Sequence, residues 1–315
     1  MVTFPNQPCT ATSGLNGTCL TVDECSTASG TSSGSCASGF GVCCVVSATC
    51  GESSSTNNTY LDQSTTSAAS VCSYTICPVS TDICQLRIDY ETLVLSAPST
   101  TTGTIGTCVN DNLVISSPDG PNPPLVCGTL SGQHMYVPAS SSCHTITATI
   151  GATDTSTVRQ WSMKVSQIEC TNVLLPPSGC LQYHTATTGY IQSLGWDGSD
   201  DGATAASAKH QNNQRYSICL RRQEGYCSIE YFTPITGFAL GSSGAPDSTA
   251  ESLYGDVACY EDYITIPGIL VSGNPATTAF STIVGDRVCG AGWTNFPNPV
   301  ATAATLLSKA LVRES

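Results

Sequence analysis

Charge is the scarcest property of this sequence. Only 10% of its 315 residues are Asp, Glu, Lys or Arg, against about 25% in an ordinary soluble protein. Cations are scarcer still: ten Lys and Arg stand against 23 Asp and Glu, for a net charge of -13. That balance argues against nucleic acid and anionic membrane surfaces as partners, since both need a basic patch. No apolar run reaches the 18 or more residues of a membrane span. No basic-then-apolar leader is present, because Met1-Val2-Thr3-Phe4-Pro5 runs almost directly to Cys9. The chain is expected to be a mature form whose signal peptide lies outside the sequence.

Cysteine is what the chain has in excess. Nineteen cysteines are a liability in a reducing compartment and, as disulfides, an asset in an oxidising one. Zinc needs paired Cys or Cys/His clusters. With four histidines, of which only His144 stands near a ligand partner, Cys143, disulfides are the expected use. Ser, Thr and Gly take the place of the missing charges, as in a neutral and often glycosylated extracellular coat. Two sequons, Asn16-Gly17-Thr18 and Asn57-Asn58-Thr59, make Asn16 and Asn57 the candidate glycosylation sites. Secretion is therefore expected.

Residues 1–47 hold a dense cluster: Cys9, Cys19, Cys25, Cys36, Cys43 and Cys44. Gly, Ser and Thr fill the gaps, so this segment buries little core and needs covalent links. Neighbouring residues in a strand point to opposite faces, so Cys43 and Cys44 should staple two different neighbours. The order Cys…Cys-x5-Cys…Cys…Cys-Cys, with "GTC" and "GFGVCC", resembles the arthropod clip domain. That resemblance implies the pairs Cys9–Cys43, Cys19–Cys36 and Cys25–Cys44.

From residue 48 onward short β-rich runs alternate with turn residues. Gln85–Tyr90, Leu113–Ile115, His144–Ile150 and Trp161–Val165 show the alternation of half-buried strands. Helical periodicity is absent until Ala301–Arg313, where Leu306, Leu307, Ala310 and Leu311 predict one short helix. Many short strands with Gly and Pro turns indicate β-sandwiches.

An internal repeat divides this region. Cys108-Val-Asn-Asp111-Asn-Leu113-Val-Ile115 matches Cys259-Tyr-Glu-Asp262-Tyr-Ile264-Thr-Ile266, and the pairs Cys127-Gly128 and Cys289-Gly290 follow. Upstream, Tyr74-Thr-Ile76-Cys77 matches Tyr216-Ser-Ile218-Cys219, with Cys84 and Cys227 next. The repeat predicts two copies of one β domain, joined near Pro176-Pro177-Ser178-Gly179.

These landmarks resemble the CUB domain, with its Cys-x-x-Asp-x-Leu-x-Ile strand, later Cys-Gly and early aromatic-x-Ile. The resemblance implies two-sheet antiparallel sandwiches. The expected fold class is all-β: two CUB-like sandwiches, at 48–172 and 178–315, preceded by a clip-like module at 1–47. One such module followed by two CUB-like domains is similar to secreted arthropod CUB-domain proteins. The resemblance also implies Cys50–Cys72 as a first pair, with Gln214 standing where the second copy lacks it. The repeat predicts Cys108–Cys127 and Cys259–Cys289 as matched long staples, and Cys77–Cys84 and Cys219–Cys227 as short ones. Cys170 and Cys180 flank the joint and are expected to close on each other. Cys143 is left over, as a buried thiol, an interchain link, or the sign of a wrong pairing.

Catalytic patterns are faint. The trypsin-like family that often follows clip domains surrounds its serine with Gly-Asp-Ser-Gly-Gly. Gly241-Ser242-Ser243-Gly244-Ala245 lacks the acid, and Cys143-His144 has the wrong order. Asp197-Gly-Ser-Asp-Asp-Gly202 starts like a calcium loop, but Ala208 stands where the bidentate Glu belongs. Some CUB domains bind calcium through three acids. Asp111 and Asp262 occupy the middle position, and Asp89 or Glu91 suits the first. The loop Tyr136–Cys143 offers no third, so these are weak candidates and no cofactor is expected. Arg221-Arg222 with Tyr136, Trp161, Tyr216 and Trp293 are candidates for a binding surface, or for core packing.

Two functions remain, and an enzyme is not expected. One is a structural protein that self-associates into a homo-oligomer or filament through sandwich faces and edges. It draws on the low charge, and on a second copy that has 26 residues after Cys289 where the first runs 43 from Cys127 to Cys170. The other is a soluble recognition protein whose CUB-like faces bind a protein or glycan.

Overall fold

The computed structural model describes residues 7–118, 120–196, 210–227, 229–231, 239–240, 253–254, 259, 262–267, 286–291, 300–301 and 309–313. The fold is all-β, and the chain divides into two units.

The first unit comprises Met1–Ala97 and Cys108–Ser178. Its elements are β1 (Pro8–Thr10), β2 (Asn16–Leu20), α1 (Val22–Thr27), β3 (Thr31–Cys36), β4 (Gly41–Ala48), β5 (Ser53–Ser54) and β6 (Thr59–Thr66). There follow β7 (Ser70–Ile76), β8 (Ile83–Val94), β9 (Asn112–Ser116), β10 (His134–Pro138), β11 (His144–Ile150) and β12 (Arg159–Glu169). One sheet runs β1-β2-β4-β6-β12-β8-β10, with β3 paired to β4, and the second runs β5-β7-β11-β9. Most pairs are antiparallel, but β4 joins β6 and β5 joins β7 in parallel.

Side-chain alternation builds the sandwich. Along β11, His144, Ile146, Ala148 and Ile150 are buried while Thr145, Thr147 and Thr149 face out. Along β12, Arg159, Trp161, Met163 and Val165 are buried and alternate with Gln160, Ser162, Lys164 and Ser166. Tyr74, Ile115 and Ile146 of one sheet and Leu86, Ile88 and Met163 of the other are core residues, with exposures of 2% or less. Burying each such side chain contributes about 1.5–3 kcal/mol. One polar pair bridges the interior: Trp161 Nε1 donates to Tyr74 OH at 2.9 Å, across the two sheets.

The cysteine-rich segment continues the sandwich. Cys43 and Val45 lie in a cluster with Ala11 and Tyr60, whereas Cys44 and Val46 lie with Cys25. The adjacent cysteines thus use opposite faces of β4, bonding Cys9 and Cys25, while Cys19 bonds Cys36. Val46–Ala48 then pair with Thr59–Leu61, so the boundary drawn at 47/48 falls inside β4. A short helix that periodicity does not show is also present. Thr21 caps α1, its hydroxyl accepting from Glu24 N while Glu24 accepts from Thr21 N. The signal was Thr21-x-x-Glu24, a capping box.

Strand register decides the remaining disulfides of this unit. Cys50 bonds Cys72 and Cys108 bonds Cys127. The expected Cys77–Cys84 bridge is not formed, because β7 and β8 belong to different sheets. His144 lies opposite Ile76 in the β7–β11 ladder, so the next cross-strand position brings Cys143 against Cys77, and these bond. Likewise Cys170 N donates to Asp82 O beside the β8–β12 ladder, and Cys170 bonds Cys84. Cys143 is therefore not left over, and Cys170 does not pair with Cys180.

The second unit comprises Pro98–Thr107 and Gly179–Ser315. Its strands are β13 (Gln182–His184), β14 (Arg215–Leu220), β15 (Ile229–Glu230), β16 (Ala239–Leu240), β17 (Leu253–Tyr254), β18 (Tyr263–Thr265), β19 (Arg287–Ala291), β20 (Val300–Ala301) and β21 (Lys309–Arg313). The main sheet runs β13-β14-β21-β18-β19-β16. The helix expected over Ala301–Arg313 is corrected: Lys309–Arg313 is a strand between β14 and β18. Tertiary pairing here overrides a short apolar run that periodicity cannot assign. Cys259 bonds Cys289. Cys180, two residues before β13, bonds Cys219 of β14. The expected Cys219–Cys227 pair is thus absent, and Cys227 is an exposed free thiol.

Candidate interaction surfaces

The weak calcium candidates resolve into different environments. Asp111 stands at the head of β9 and is buried. Its Oδ2 accepts from Ser96 N at 2.7 Å and Arg159 Nε at 2.8 Å. Its Oδ1 accepts from Asn110 Nδ2 at 2.7 Å, Gly151 N at 3.0 Å and Arg159 Nη2 at 3.3 Å. Arg159 further donates to Thr157 O and Ser96 Oγ. Asp154, which sequence reading missed as a partner, accepts from Ser96 Oγ at 2.7 Å and lies 3.9 Å from Arg159 Nη2.

Burial pushes the Asp111 carboxyl up, but the Arg159 and backbone hydrogen bonds outweigh it and hold it below the ordinary range. Hydrogen bonds from Thr157, Ser96 and Ser156 hold Asp154 far below that range. The Arg159 guanidinium already occupies the Asp111 carboxylate and stands beside Asp154, so these residues do not fit calcium. Asp89 is on β8, engaged by Arg87 at 2.7 Å and Lys164 at 3.5 Å. Glu91 lies 3.8 Å from Lys164, and Asp262 precedes β18 of the other unit. Among the described residues no three His, Cys, Asp or Glu side chains are grouped to hold a metal. The Asp197–Ala208 loop, Ser242–Ser243 and Trp293 lie outside the described residues.

The two outer faces of the sandwich differ in kind. On the β12-β8-β10 face, Arg87 bonds Asp89, donates to Tyr136 OH at 2.9 Å and stacks 5.4 Å from that ring. His134 meets the same ring edge-on at 5.4 Å. Arg87, Arg159 and Lys164 are the three cations of residues 1–178, and Arg159 is buried. Both solvent-reachable cations therefore stand on this one face, with Asp89 and Glu91. Shallow clefts of about 190 Å³ beside Lys164 and 260 Å³ beside Trp161 open there, below the ~300–1,000 Å³ of small-molecule pockets.

The outer face of β5-β7-β11-β9 carries no ionisable side chain. Register sets its residues in rows: Ser116, Thr145, Thr75 and Ser53; Val114, Thr147 and Ser73; Asn112, Thr149 and Val71. Ser73 Oγ and Thr147 Oγ1 are 3.1 Å apart. Val71 is 66% exposed and Val114 37%. The carboxylates next in sequence turn away, Glu52 onto Thr49 N and Asp111 onto Arg159.

Among the aromatic candidates, Trp161 and Tyr216 are core residues, with exposures of 2% and 5%. Tyr216 OH accepts from Leu194 N. Arg222 is exposed, and Arg221 is half-buried near Gln223. The two sequons interlock: Thr18 Oγ1 donates to Asn57 O at 2.7 Å and Asn58 Nδ2 donates to Gly17 O at 3.2 Å. The Asn16 side chain is exposed, whereas Asn57 Oδ1 accepts from Asn58 N and Gln167 N. Sequence reading missed Arg159, and a signal existed. A lone cation in phase with Trp161, Met163 and Val165 sits on the buried side of a strand.

Residues 177–309 match the family model of the animal CUB domain. Three solved structures are similar in outline. The CUB1-EGF-CUB2 domains of rat MASP-1 share 12% identity over 86% of this chain and 95% of that one, with a TM-score of 0.29. The CUB1-EGF-CUB2 domain of human MASP-1/3 shares 12% over 81% and 93%, with a TM-score of 0.28. The full extracellular region of zebrafish Gpr126/Adgrg6 shares 7% over 86% of this chain and 34% of that one, with a TM-score of 0.29. No curated protein matches the sequence. The CUB likeness of residues 177–309 rests on the family match and not on these superpositions. No helix among the described residues is long and apolar enough to cross a membrane.

Proposed function

We propose that this is a non-enzymatic extracellular interaction protein, built from two CUB-like copies behind a clip-like segment, that self-associates into a larger assembly. The observation that carries this reading is the segregation of charge between the outer faces of the first sandwich. One face gathers both solvent-reachable cations with their acids. The other has none in a chain of net charge -13. Copies with that charge repel each other over most of their surface, and a neutral face is where close approach costs least. Nine disulfides support an oxidising compartment. Sedimentation velocity of the oxidised, full-length chain tests the reading. A sedimentation coefficient that rises with concentration is expected, and a constant monomer value at the highest soluble concentration overturns it.

A second reading is recognition of a protein or glycan, favoured by the Arg87–Tyr136 pair. Arg and Tyr are enriched among residues that dominate binding energy. An Arg87→Ala, Lys164→Ala variant that loses a captured extracellular ligand, with self-association unchanged, would support it.

A further inference from the structure

We infer that the hydroxyl and valine face of β5-β7-β11-β9 is where a second copy of this chain docks, face to face and by the same patch on both copies. The inference rests on the self-association just proposed and names its surface.

Three observations select the occupant. First, the patch holds ten outward side chains from four strands, and none titrates: six are Ser or Thr on β5, β7 and β11, and the rest include Val71, Val114 and Asn112. A charged partner finds nothing to pair with here, whereas a second copy meets no like charge. Secondly, the patch is self-complementary in chemistry. Hydroxyls both donate and accept, so the Thr145, Thr147, Thr149 column of one β11 satisfies the same column of another. Val71 and Val114 supply apolar contact on either side of that column. A patch that meets itself closes by two-fold symmetry, and stacked sheets pack about 10 Å apart.

Thirdly, area sets the strength. Strands about 4.8 Å apart and about 3.4 Å per residue give this patch on the order of 250 Å² per copy. Stable interfaces bury about 1,200–2,000 Å² in total. The pairwise contact is accordingly weak and concentration-dependent, the kind that acts when many copies are held close together.

Thr147 is at the centre and half-buried, and Val71 is at one edge and exposed. Thr147→Lys sets like charges against one another across the two-fold contact, and Val71→Lys buries an unpaired charge in it. Sedimentation equilibrium of the whole oxidised chain is expected to show at least tenfold weaker association for either. Ser162→Lys, on the outer face of the other sheet, is expected to leave association unchanged. Mixing Thr147→Lys with Thr147→Glu is expected to restore it, because only a patch that meets itself turns repulsion into pairing. Should Thr147→Lys fail to fold, Val71→Lys alone decides.

Unchanged association in both lysine variants overturns the face and leaves self-association standing. Weakened association without rescue in the mixture overturns the two-fold arrangement. A wild-type chain that stays monomeric overturns the underlying reading and this inference with it.

Discussion

Arg159 Nε lies 2.8 Å from Asp111 Oδ2, and neither side chain reaches solvent. The pair links β12 of one sheet to the head of β9 in the other. Removing one partner from such a pair strands a buried charge and costs about 3–5 kcal/mol. Arg159→Met is expected to lower unfolding free energy by that amount in urea titrations under oxidising conditions.

The same pair sets an acid dependence. Asp111 titrates below its ordinary value when folded, and an unfolded Asp titrates near about 3.9. Its contribution is therefore complete above roughly pH 5 and lost as pH falls through the depressed folded value. Unfolding followed between pH 7 and pH 2 should show less acid loss for Asp111→Asn than for wild type, from a lower starting stability.

Tyr74 and Trp161 hold a second cross-sheet contact, in which Tyr74 OH accepts from Trp161 Nε1 and donates to Asp62 O at 3.1 Å. Tyr74→Phe leaves a buried indole N–H without its acceptor. A loss of about 1–3 kcal/mol is expected, read by circular dichroism in urea titrations. A double cycle with Trp161→Phe isolates the pair.

The thiols offer a covalent check. Alkylation of the folded, unreduced chain is expected to modify Cys227 alone. Cys143→Ser is expected to add Cys77 as a second labelled thiol. Peptide mapping that joins Cys77 to Cys84 would contradict the register-based pairing.

Asn58 adopts φ 54° at the junction of the cysteine-rich segment with the sandwich. Its amide donates to Gly17 O and accepts from Ser166 Oγ. Asn58→Ala loses both bonds and keeps a left-handed backbone that Asn tolerates better than Ala. Thermal unfolding should show about 1–3 kcal/mol of destabilisation, with the Asn57-x-Thr59 sequon intact.

The all-β class was legible because alternation is a local property: His144–Ile150 and Trp161–Val165 display it within a few residues. The two cysteines at 43 and 44 were legible for the same reason, since strand geometry alone sends them to opposite faces. Cys77, Cys84, Cys143 and Cys170 were not. Their partners are fixed by which strands pair and in what register, 66 and 86 residues apart in sequence, and proximity along the chain misled. The Asp111 environment was half legible. The repeat singled out the acid, but its cation came from a strand 48 residues away. The outer-face array was invisible, because Thr145-x-Thr147-x-Thr149 acquires its rows only when β7 and β9 align beside it.

The join between β4 and β6 has a mechanical consequence. Val46–Ala48 run parallel to Thr59–Leu61, and Cys43 and Cys44 anchor β4 to Cys9 and Cys25. A pull on the N-terminal segment is carried through covalent links to β4. It then loads the β4–β6 bonds together, in shear. The first 48 residues thus act less as a bead on a tether than as a grip, through which tension enters the sheet directly.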